Sequence, residues 1–546
     1  MISIKWFQLH ICMSTVTKKI LISDELADEG LAILDGKADV TVKTGLSEDA
    51  LCEIIGEFDA LLVRSGTQVT SKIIEAGTNL KFIGRAGAGV DNIDMDAASK
   101  AGIVVANAPE GNTLAATEHT MAMMLSLCRN IPQACASMRA GEWKRSKFMG
   151  MELNEKTLGI VGLGRIGREV ARRAASFNMR IIGYDPFISK EKAAEMGIEG
   201  MALEELFTLA DIITVHTPLM KETKHLVNAT SIQTMKDGVC IINCARGGII
   251  DEQALADAVA SGKVSGAAID VFEDEPPHAD CPLLKHDKII TTPHLGASTV
   301  EAQKNVAISV AKQCLSVLDG GEASSVVNAP LIPPEHRETV TPFSDLGQRM
   351  GKLLIQIVDG SVLRCDVTYG GELAGIGSST KYITAMILKG MLDPILRDPV
   401  NTINAPIIAK ERGIIVSEKV TEESSGYRNL ISVTLTTDVG EFEMQGSVRY
   451  KGELGGRIVS ISGYGMDMIP QGSVIISRHQ DKPGVIGRFA TLLGERMINI
   501  AGMQVGRFKA GEEAIMVLTI DSEVSEDDLR QMRLFPGIRT AQYAKI

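Results

Sequence analysis

Short runs of apolar residues alternate with amphipathic stretches from Lys18 to about residue 108. The runs KILIS, ALLVRS, LKFIGRAG and GIVVANAP have the length of strands, and the segments between them show helical periodicity. Strands that alternate with helices in this way pair in parallel, because each helix carries the chain back to begin the next strand. The first part of the chain is therefore predicted to form a parallel sheet.

A second, clearer alternation runs from about residue 110 to residue 296. One long helix over TLAATEHTMAMMLSLCRNIPQ is predicted to lead into it. Strands are predicted over TLGIVGLG, MRIIGYD, DIITVHTP, VCIINCA, VSGAAID and KIITTPH. The length suits a doubly wound sheet. The helix that follows, STVEAQKNVAISVAKQCLSVLDG, is predicted to pack back onto the first unit.

The pattern changes after VVNAPLIPPEHR, whose prolines are typical of a linker. Residues 341–470 begin with helical patterns and continue into a glycine-rich, alternating stretch that favours antiparallel strands. The last segment predicts the order strand, helix, strand, strand, helix, strand, which is that of a small ferredoxin-like domain.

Composition narrows the classes of function. The 546 residues suffice for three or four domains, with 45% apolar and 23% charged residues. A net charge of −12 argues against nucleic acid or an anionic membrane as partner, because both are bound by excess Lys and Arg. No run approaches the roughly 18 apolar residues of a membrane span.

The cysteines and the start of the chain bear on the compartment. Nine cysteines, an odd number without regular spacing, favour a reducing environment over a disulfide framework. Cys240 and Cys244 have no second pair nearby to complete a zinc set, so no metal is predicted. The first dozen residues lack a cleavage signal, and translation is expected to begin at Met13, in the cytoplasm.

The segment GIVGLGRIGREV carries glycines in the spacing Gly162-x-Gly164-x-x-Gly167, after a strand and at the start of a helix. Gly162 permits a tight turn, Gly164 lets the backbone approach a pyrophosphate, and Gly167 allows close helix–strand packing. Asp185 ends the next strand and can accept hydrogen bonds from an adenosine ribose, which favours NAD over NADP. The arginines of GRIGR leave that preference less strict.

Ligands of doubly wound sheets collect at the carboxyl ends of strands, so candidate catalytic groups are sought there. The candidates are Asp185, His216, Thr217, Arg246, Asp270, Glu275 and His294. Oxidation of a hydroxy acid by NAD needs a base for the hydroxyl proton, a cation for the carboxylate, and a group that tunes the base.

His294 suits the role of the base, because imidazole exchanges a proton near neutral pH. Arg246 suits the cation, since guanidinium pairs with a carboxylate through two bonds. Glu275 suits the third role, because a carboxylate bonded to imidazole orients it and favours its protonated form. On position alone His216 is an equally good base. His119, on the long helix, is interpreted as structural.

The motifs VGLGRIGREVARRAASFNMRIIGYD, NCARGGIIDE, AIDVFEDEPP and TTPHLGAST, in this order and spacing, resemble the D-isomer-specific 2-hydroxyacid dehydrogenases. The resemblance implies that Arg246, Glu275 and His294 form the catalytic set and that NAD is the cofactor. The residues expected to bind NAD are Gly162, Gly164, Arg165, Ile166, Gly167, Asp185, Thr217, Cys244, Ala245, Asp270, Gly296 and Ala297.

The resemblance also implies the division into domains. A substrate domain of flavodoxin-like fold is expected to be split between residues 17–110 and 297–328, with a Rossmann NAD-binding domain, 111–296, inserted into it. An intervening domain, 329–470, and a last domain, 471–546, complete the fold. The expected fold class is thus two doubly wound parallel-sheet domains and two α+β regulatory domains.

The substrate is expected to be an anion with two charged groups. VRSGT and GRAGAGVDNID supply Arg64, Ser65, Arg85 and a turn whose glycines, Gly87 and Gly89, leave N–H groups free for a carboxylate. GEWKRSKFMG places Lys144 and Arg145 beside a tryptophan, and this basic cluster is either a solvated loop or a phosphate site.

From Lys18 onward the chain is similar to the long members of the family, which act on 3-phosphoglycerate and use the basic loop for its phosphate. Ala88 departs from some of these members, which carry a hydroxyl residue there. A reductase of glyoxylate, hydroxypyruvate or 2-ketoglutarate is the rival within the enzyme class. An NAD-sensing corepressor with a peptide-docking surface is the rival outside it.

RHQDKPGVIGRFATLLGERMINIAGM resembles the ACT domain, a regulatory module that binds amino acids. The resemblance implies L-serine as effector, held by His479, Asp481 and Asn499 across a dimer of such domains, and hence a homo-oligomer, dimer or tetramer. A role in oligomerisation alone is the alternative. A second anion site is expected in the intervening domain at Arg449, Lys451 and Arg457.

Overall fold

The computed structural model describes residues 18–330, 332–397, 399–448 and 455–546. Within these ranges the chain forms four sheets. The expected start at Met13 lies outside them, as do Arg449 and Lys451 of the expected second anion site. Arg457, the third residue of that site, pairs with Asp467.

The first sheet has five parallel strands in the order β2-β1-β3-β4-β5. Its strands are β1 (Lys19–Ile22), β2 (Asp39–Val42), β3 (Ala60–Val63), β4 (Phe82–Arg85) and β5 (Val104–Asn107). The helices between them are α1 (Asp28–Leu34), α2 (Glu48–Ile55), α3 (Ser71–Ala76) and α4 (Met95–Lys100). The central strand β3 is buried along its whole length, as expected for a sheet covered on both faces.

Helices α5 (Thr113–Cys128) and α6 (Ile131–Arg139) lead into the second sheet. The single long helix predicted here is wrong, because the chain breaks at Asn130, whose φ is 52°. Asn adopts this left-handed conformation more readily than most residues, and Pro132 lies in the first turn of α6, where proline is favoured.

The second sheet has seven parallel strands in the order β12-β11-β10-β9-β6-β7-β8. The strands are β6 (Thr157–Val161), β7 (Arg180–Tyr184), β8 (Glu199–Gly200), β9 (Ile212–Val215), β10 (Val239–Asn243), β11 (Val264–Ile269) and β12 (Ile289–Thr291). The helices between them are α7 (Arg165–Ala175), α8 (Lys190–Glu195), α9 (Leu203–Leu209), α10 (Ala229–Thr234) and α11 (Glu252–Ser261). The order reverses between β6 and β9, and such a reversal opens a crevice for a dinucleotide.

Helix α12 (Val300–Leu318) returns to the first sheet, as predicted. A Cβ at Gly84 on β4 would lie 2.4 Å from Val310 of α12, so only glycine allows this close contact. Gln313 of the same helix donates to the carbonyl of Asn107 at 2.9 Å. The chain therefore leaves the first unit, builds the second, and comes back.

The third unit combines helices with a sheet in the order β14-β13-β15-β16-β17-β18. The strands are β13 (Val362–Gly371), β14 (Ile415–Thr421), β15 (Asn429–Thr437), β16 (Glu441–Val448), β17 (Gly456–Ile461) and β18 (Tyr464–Met468). The helices are α13 (Arg337–Ile357), α14 (Thr380–Leu392) and α15 (Ala405–Glu411). The last four strands of this sheet are antiparallel, as the alternating pattern predicts.

The last unit has the predicted strand–helix order and an antiparallel sheet, β20-β21-β19-β22. Its elements are β19 (Ser473–Gln480), α16 (Val485–Glu495), β20 (Ile500–Arg507), β21 (Glu513–Ile520), α17 (Glu526–Arg533) and β22 (Ile538–Lys545). One face of this sheet packs on α16 and α17, with Phe489 in the core. The other face, through Val474 and Ile476, joins the hydrophobic core of the third unit.

The predicted fold class is thereby confirmed. No helix in the described ranges combines the length and apolar character that crossing a bilayer requires.

Candidate active site

An ion pair between Arg246 and Asp91 joins the carboxyl ends of the two parallel sheets. Arg246 follows β10, and its Nε donates to Asp91 Oδ2, in the loop after β4, at 2.9 Å. Its Nη1 donates to the carbonyl of Ala245 at 2.6 Å. The guanidinium is thus held between the two sheets, at the edge where ligands collect.

His294 and Glu275 form a second pair at this edge. His294 Nδ1 lies 2.7 Å from Glu275 Oε2, and the other carboxylate oxygen accepts a bond from the backbone N–H of Phe272 at 3.1 Å. Burial would raise the pKa of Glu275, but the bonds from His294 and Phe272 and the charge of Arg246 outweigh burial and hold that pKa below its ordinary value. The three predicted catalytic residues therefore lie together.

Positive charge accumulates around the glycine turn after β4. A Cβ at Gly87 would lie 1.9 Å from Arg85 Nη1, and one at Gly89 would lie 1.9 Å from Arg246 Nη2. Burial lowers the pKa of Arg85 to about 10, and the charges of Arg246 and Arg64 add to that effect. Arg85 Nε is buried without a hydrogen-bond partner in the described part of the chain. The turn is therefore built to receive an anion.

Arg64 and Ser65 follow β3 at the same edge of the first sheet. The backbone N–H of Arg64 donates to Asp24 at 2.6 Å, and its Nη1 donates to the carbonyl of Glu25 at 3.3 Å. Ser65 is exposed. The structure thus brings Arg64, Ser65, Gly87 and Gly89 to the edge that holds Arg246.

The glycine motif has the geometry of a phosphate cradle. Gly162 adopts φ 96°, and a Cβ at Gly167 would lie 2.1 Å from the carbonyl oxygen of Gly162. A Cβ at Gly164, the N-cap of α7, would meet nothing within 4 Å. The N-terminus of α7, whose first N–H groups have no intrahelical acceptors, is therefore open to a ligand.

Asp185 lies beside this cradle and holds it. Its two carboxylate oxygens accept bonds from the backbone N–H groups of Leu163 and Phe187, each at 2.9 Å. Each oxygen keeps a second lone pair for a ribose hydroxyl. Thr217, after β9, has a buried hydroxyl that lacks a partner among the described residues. The residues present therefore fit a dinucleotide.

The other expected cofactor residues gather at the ends of β10 and β11. A Cβ at Gly296 would lie 3.4 Å from Asp270 and 3.9 Å from the carbonyl of Cys244. Ala245 N donates to the Asn243 side chain at 3.0 Å. At the far side of the crevice, Arg165 is exposed and pairs with Glu110, and Ile166 packs on the core. Ala297 accepts a bond from Gln303 at 3.0 Å.

His119, Cys244 and Asp270 hold potential metal-ligand atoms within 4.8 Å of one another. Burial and the charge of Asp270 raise the pKa of the Cys244 thiol to about 12. Both oxygens of Asp270 already accept bonds from N–H groups. The carboxylate of Asp270 is therefore already engaged by the backbone of the turn.

His216, the other candidate base, has a different environment. Its Nε2 lies 3.0 Å from Thr214 Oγ1, and burial lowers its pKa to about 4. The described hydrogen bonds and ion pairs give it no carboxylate partner, unlike His294. This contrast, which position in the sequence does not reveal, separates the two histidines.

The basic loop, residues 141–150, is anchored near the amino ends of the strands of the second sheet, opposite the edge that holds Arg246. Leu127, near the end of α5, faces Gly266 at the start of β11, where a Cβ would lie 3.0 Å from its side chain. Met151 N, after the loop, donates to the carbonyl of Cys128 at 2.8 Å. Lys144 pairs with Glu142 at 3.0 Å and Arg145 begins a 3-10 turn. Lys144 and Arg145 are therefore not brought to the Arg246 site of their own chain.

The expected effector residues separate into two places. His479 and Asp481 lie at the end of β19, where Asp481 pairs with Arg507 at 2.8 Å. Asn499 precedes β20 and donates to Asp521 at 2.7 Å. Since Arg507 ends β20, the strand separates the two places by roughly 25 Å at ~3.3 Å per residue.

His479 and Asp481, at the end of β19, also differ in their environments. His479 is buried with Nδ1 lacking a partner among the described residues, and burial lowers its pKa. The bonds from Arg507 and from the backbone N–H of Gly511 hold the pKa of Asp481 below its ordinary value. A ligand ammonium at Asp481 must therefore compete with Arg507.

The sequence does not identify Asp91 as a residue of the site, and it gives His119 only a structural role. Asp91 follows an apolar strand like many surface acids, and nothing in its local pattern links it to Arg246. His119 was interpreted as structural, yet it contacts Asp270 and Thr292 at 3.1 and 3.2 Å. A histidine on the buried face of a helix between two sheets was the available signal.

Family models match three parts of the chain. Residues 121–296 match the NAD binding domain of D-isomer specific 2-hydroxyacid dehydrogenases, 339–462 the D-3-phosphoglycerate dehydrogenase intervening domain, and 473–533 the ACT domain. A glyoxylate reductase from Paecilomyes thermophila is 32% identical, with TM-score 0.53 over 59% of this chain and 99% of that one. Fold and site thus define the class of NAD-dependent D-2-hydroxyacid dehydrogenases.

Relatives of full length narrow the class. D-3-phosphoglycerate dehydrogenase of Methanocaldococcus jannaschii is 47% identical over 95% of this chain and 98% of its own length. The enzyme of the same name from Bacillus subtilis is 45% identical over the same shares. The chain belongs to the D-3-phosphoglycerate dehydrogenase family.

Proposed function

We propose that the protein oxidises 3-phospho-D-glycerate to 3-phosphohydroxypyruvate with NAD, the first step of phosphorylated L-serine biosynthesis. The observation that carries this proposal is the match to relatives of that name along nearly the whole chain, including the intervening and ACT domains. An unphosphorylated 2-oxo acid as the main substrate is the rival.

His294 is the proposed base, and Glu275 orients it. Because Nδ1 is engaged by the carboxylate at 2.7 Å, Nε2 is the nitrogen left to exchange a proton with the substrate hydroxyl. Bound NAD would supply the acceptor for the hydride that leaves the carbon bearing this hydroxyl. In the reverse direction His294 returns the proton, and Glu275 holds the ring in the orientation that does so.

Arg246 is the proposed carboxylate clamp. Its Nη2 makes no hydrogen bond within the described ranges and faces the turn at Gly89. Arg64, Ser65 and the N–H group at Gly89 complete the anion site. The N–H group of Gly87, expected from the sequence to be free, instead donates to the carbonyl of Arg85 at 2.8 Å, so Gly87 contributes only the space beside the Arg85 guanidinium. Burial and the nearby charges of Arg246 and Arg64 lower the pKa of Arg85, and a bound anion would offset the repulsion between Arg85 and these two charges.

We propose that Lys144 and Arg145 act on a second copy of the chain, because their loop is anchored away from the site of their own chain. Trp143 and Met149 on this loop are 73% and 83% exposed, and apolar side chains so exposed are typical of a protein interface. The loop would then carry its positive charge to a neighbouring cleft, where a substrate phosphate needs it.

The residues proposed to hold NAD are the twelve named from the sequence. Gly162, Gly164, Arg165, Ile166 and Gly167 form the phosphate turn and the start of α7. Asp185 accepts from the ribose. Thr217, Cys244, Ala245, Asp270, Gly296 and Ala297 line the nicotinamide side of the crevice.

L-Serine is the proposed effector, bound at His479 and Asp481 of one chain and Asn499 of another. The wide separation of these residues within one sheet supports a site shared between two copies, and hence a homo-oligomer. We also propose the domain limits 17–110 with 297–328, 111–296, 329–470 and 471–546, in keeping with the four sheets. A cytoplasmic location is proposed from the cysteine pattern.

Initial rates test the main proposal. The full-length protein is assayed with NADH and either 3-phosphohydroxypyruvate, hydroxypyruvate, glyoxylate or 2-ketoglutarate. We expect kcat/KM for the phosphorylated substrate to exceed the others by at least ~100-fold, since the phosphate adds charge-assisted bonds. Equal kcat/KM values for 3-phosphohydroxypyruvate and hydroxypyruvate would contradict the proposal.

A further inference from the structure

The turn that carries His294 is built around the carboxylate of Asp270. This carboxylate is fully buried. It accepts bonds from the backbone N–H groups of Leu295 at 2.7 Å and Gly296 at 2.9 Å, and the carbonyl of Asp270 accepts one from His294 N at 2.8 Å. Asp270 therefore holds three consecutive residues.

The turn needs such support because His294 has φ 54°. A side chain with a Cβ adopts this left-handed conformation only at a cost, and surrounding contacts must stabilise it. The bonds that Asp270 accepts come from the backbone N–H of His294 itself and from those of the two residues that follow it. The direction of the imidazole therefore depends on the position of the Asp270 carboxylate.

His119 reaches the same carboxylate from α5. Its Nε2 lies 3.1 Å from Asp270 Oδ1 and 3.2 Å from Thr292 Oγ1, and Thr292 Oγ1 donates to Asp270 Oδ1 at 2.5 Å. The single hydroxyl proton of Thr292 is used in that bond. Both contacts of His119 are then satisfied only if Nε2 carries a proton and donates.

The position of His119 on α5 connects that helix to the turn that carries His294. Helix α5 is the segment that joins the first parallel sheet to the second, and Ala116, one turn before His119, faces Gly296, whose Cβ would lie 3.9 Å away. The side chain of His119 is 17% exposed. A shift of α5 therefore reaches Asp270 directly.

We propose that His119 is a positioning residue: by donating to Asp270 and Thr292 it fixes the turn that aims His294 and couples it to helix α5. The inference rests on the proposed role of His294 in proton transfer. The bonds of His119 also help to hold the pKa of Asp270 below its ordinary value against burial, which acts in the other direction.

Two substitutions separate this role from packing. His119→Leu removes the donor, and His119→Gln restores an N–H group at a similar reach. Glu118→Gln, on the neighbouring exposed position of the same helix, is the matched control. The readouts are kcat and KM for 3-phosphohydroxypyruvate, the pH dependence of kcat, and the thermal midpoint.

We expect His119→Leu to lower kcat by about 10- to 100-fold, as small misplacements of a catalytic group do. The pH at which its kcat is half maximal should also shift, because the imidazole no longer meets Glu275 and Arg246 in the same geometry. His119→Gln should recover most of both effects, and Glu118→Gln should match wild type.

Two outcomes would overturn the inference. One is a His119→Leu variant with the kcat and pH profile of wild type. The other is an equal loss in the Leu and Gln variants, with lower thermal midpoints but an unchanged pH profile, which indicates packing alone. If wild type prefers glyoxylate or hydroxypyruvate, the proposed substrate fails, but the same variant-to-wild-type ratios on that acid still test His119.

Discussion

Asp91 Oδ2 lies 2.9 Å from Arg246 Nε, although the two residues are 155 positions apart. Asp91 is 65% exposed and Arg246 28%, and an ion pair so accessible to water adds little to stability. Its effect is geometric. With Nε bound to Asp91 and Nη1 to a carbonyl, the guanidinium presents its remaining edge toward the glycine turn.

Replacing either partner should therefore weaken substrate binding. We expect Arg246→Lys to lower kcat/KM by about 10²-fold, because Lys lacks the planar fork. Asp91→Asn should raise KM by a smaller factor, with kcat nearly unchanged. The double variant should resemble Arg246→Lys alone, since effects at contacting residues are not additive. A fully additive result would show that Asp91 acts elsewhere.

Replacing His294 should reduce turnover far more than it reduces the affinity for substrate. His294→Asn is expected to lower kcat by at least ~10²-fold, the usual scale for loss of a general acid–base. Glu275→Gln keeps the shape but removes the charged acceptor that orients the ring, so kcat should fall by a smaller factor than in His294→Asn. Stopped-flow NADH oxidation measures both.

His216 should prove dispensable for chemistry. We expect His216→Gln to keep kcat within a few-fold of wild type. Near-complete loss of turnover, with normal folding, would make His216 a rival base again.

His216 should also contribute to the pH dependence of folding stability. Its pKa is about 4 in the folded protein against an ordinary 6.5, so the unfolded chain binds the extra proton. Stability is therefore lost as pH falls from 6.5 towards 4. His216→Gln should flatten this part of the curve, as measured by thermal midpoints between pH 4.5 and 7.5; parallel curves would show that the buried imidazole does not contribute.

Sequence reasoning was most successful where chemistry follows local pattern. Buried strands, the glycine motif and the side chains at strand ends all depend on neighbours in the chain, and this pattern makes Arg246, Glu275 and His294 candidates. The family resemblance, not position in the sequence, ranks His294 above His216. Contacts across the cleft were not found, because the partner of Arg246 is set by how two sheets meet. The break at Asn130 was visible in RNIP, but the apolar pattern on both sides obscured it.

The effector site is expected to depend on two chains. Asp481→Ala and Asn499→Ala should each raise the serine concentration for half inhibition by at least ~10-fold, as loss of a charge-assisted bond does. Basal turnover should stay near wild type. Mixing the two variants and re-forming dimers should restore part of the inhibition, since one of two shared sites is then intact. No recovery would favour sites within single chains.

Removing the last domain is expected to destabilise the preceding unit, although the sequence pattern of the last domain is a separate one. Val474, Ile476, Ile515 and Val517 belong to the core of the preceding unit. Deletion of residues 471–546 should expose that core, lower the thermal midpoint and cause aggregation. Size-exclusion chromatography measures this. A stable, monodisperse truncation would show that the preceding unit folds without the shared sheet.

The sheet of the ACT segment packs on its own helices with one face and on the third unit with the other, so this segment cannot be exchanged by itself. A chimera that grafts it from a relative must bring the facing helix α13 with it, or the seam between donor and host will be mismatched. Natural recombination meets the same obstacle, so the third unit and the ACT segment are expected to be inherited together. A ligand that stabilises one of these units is therefore expected to act on the other through the shared sheet.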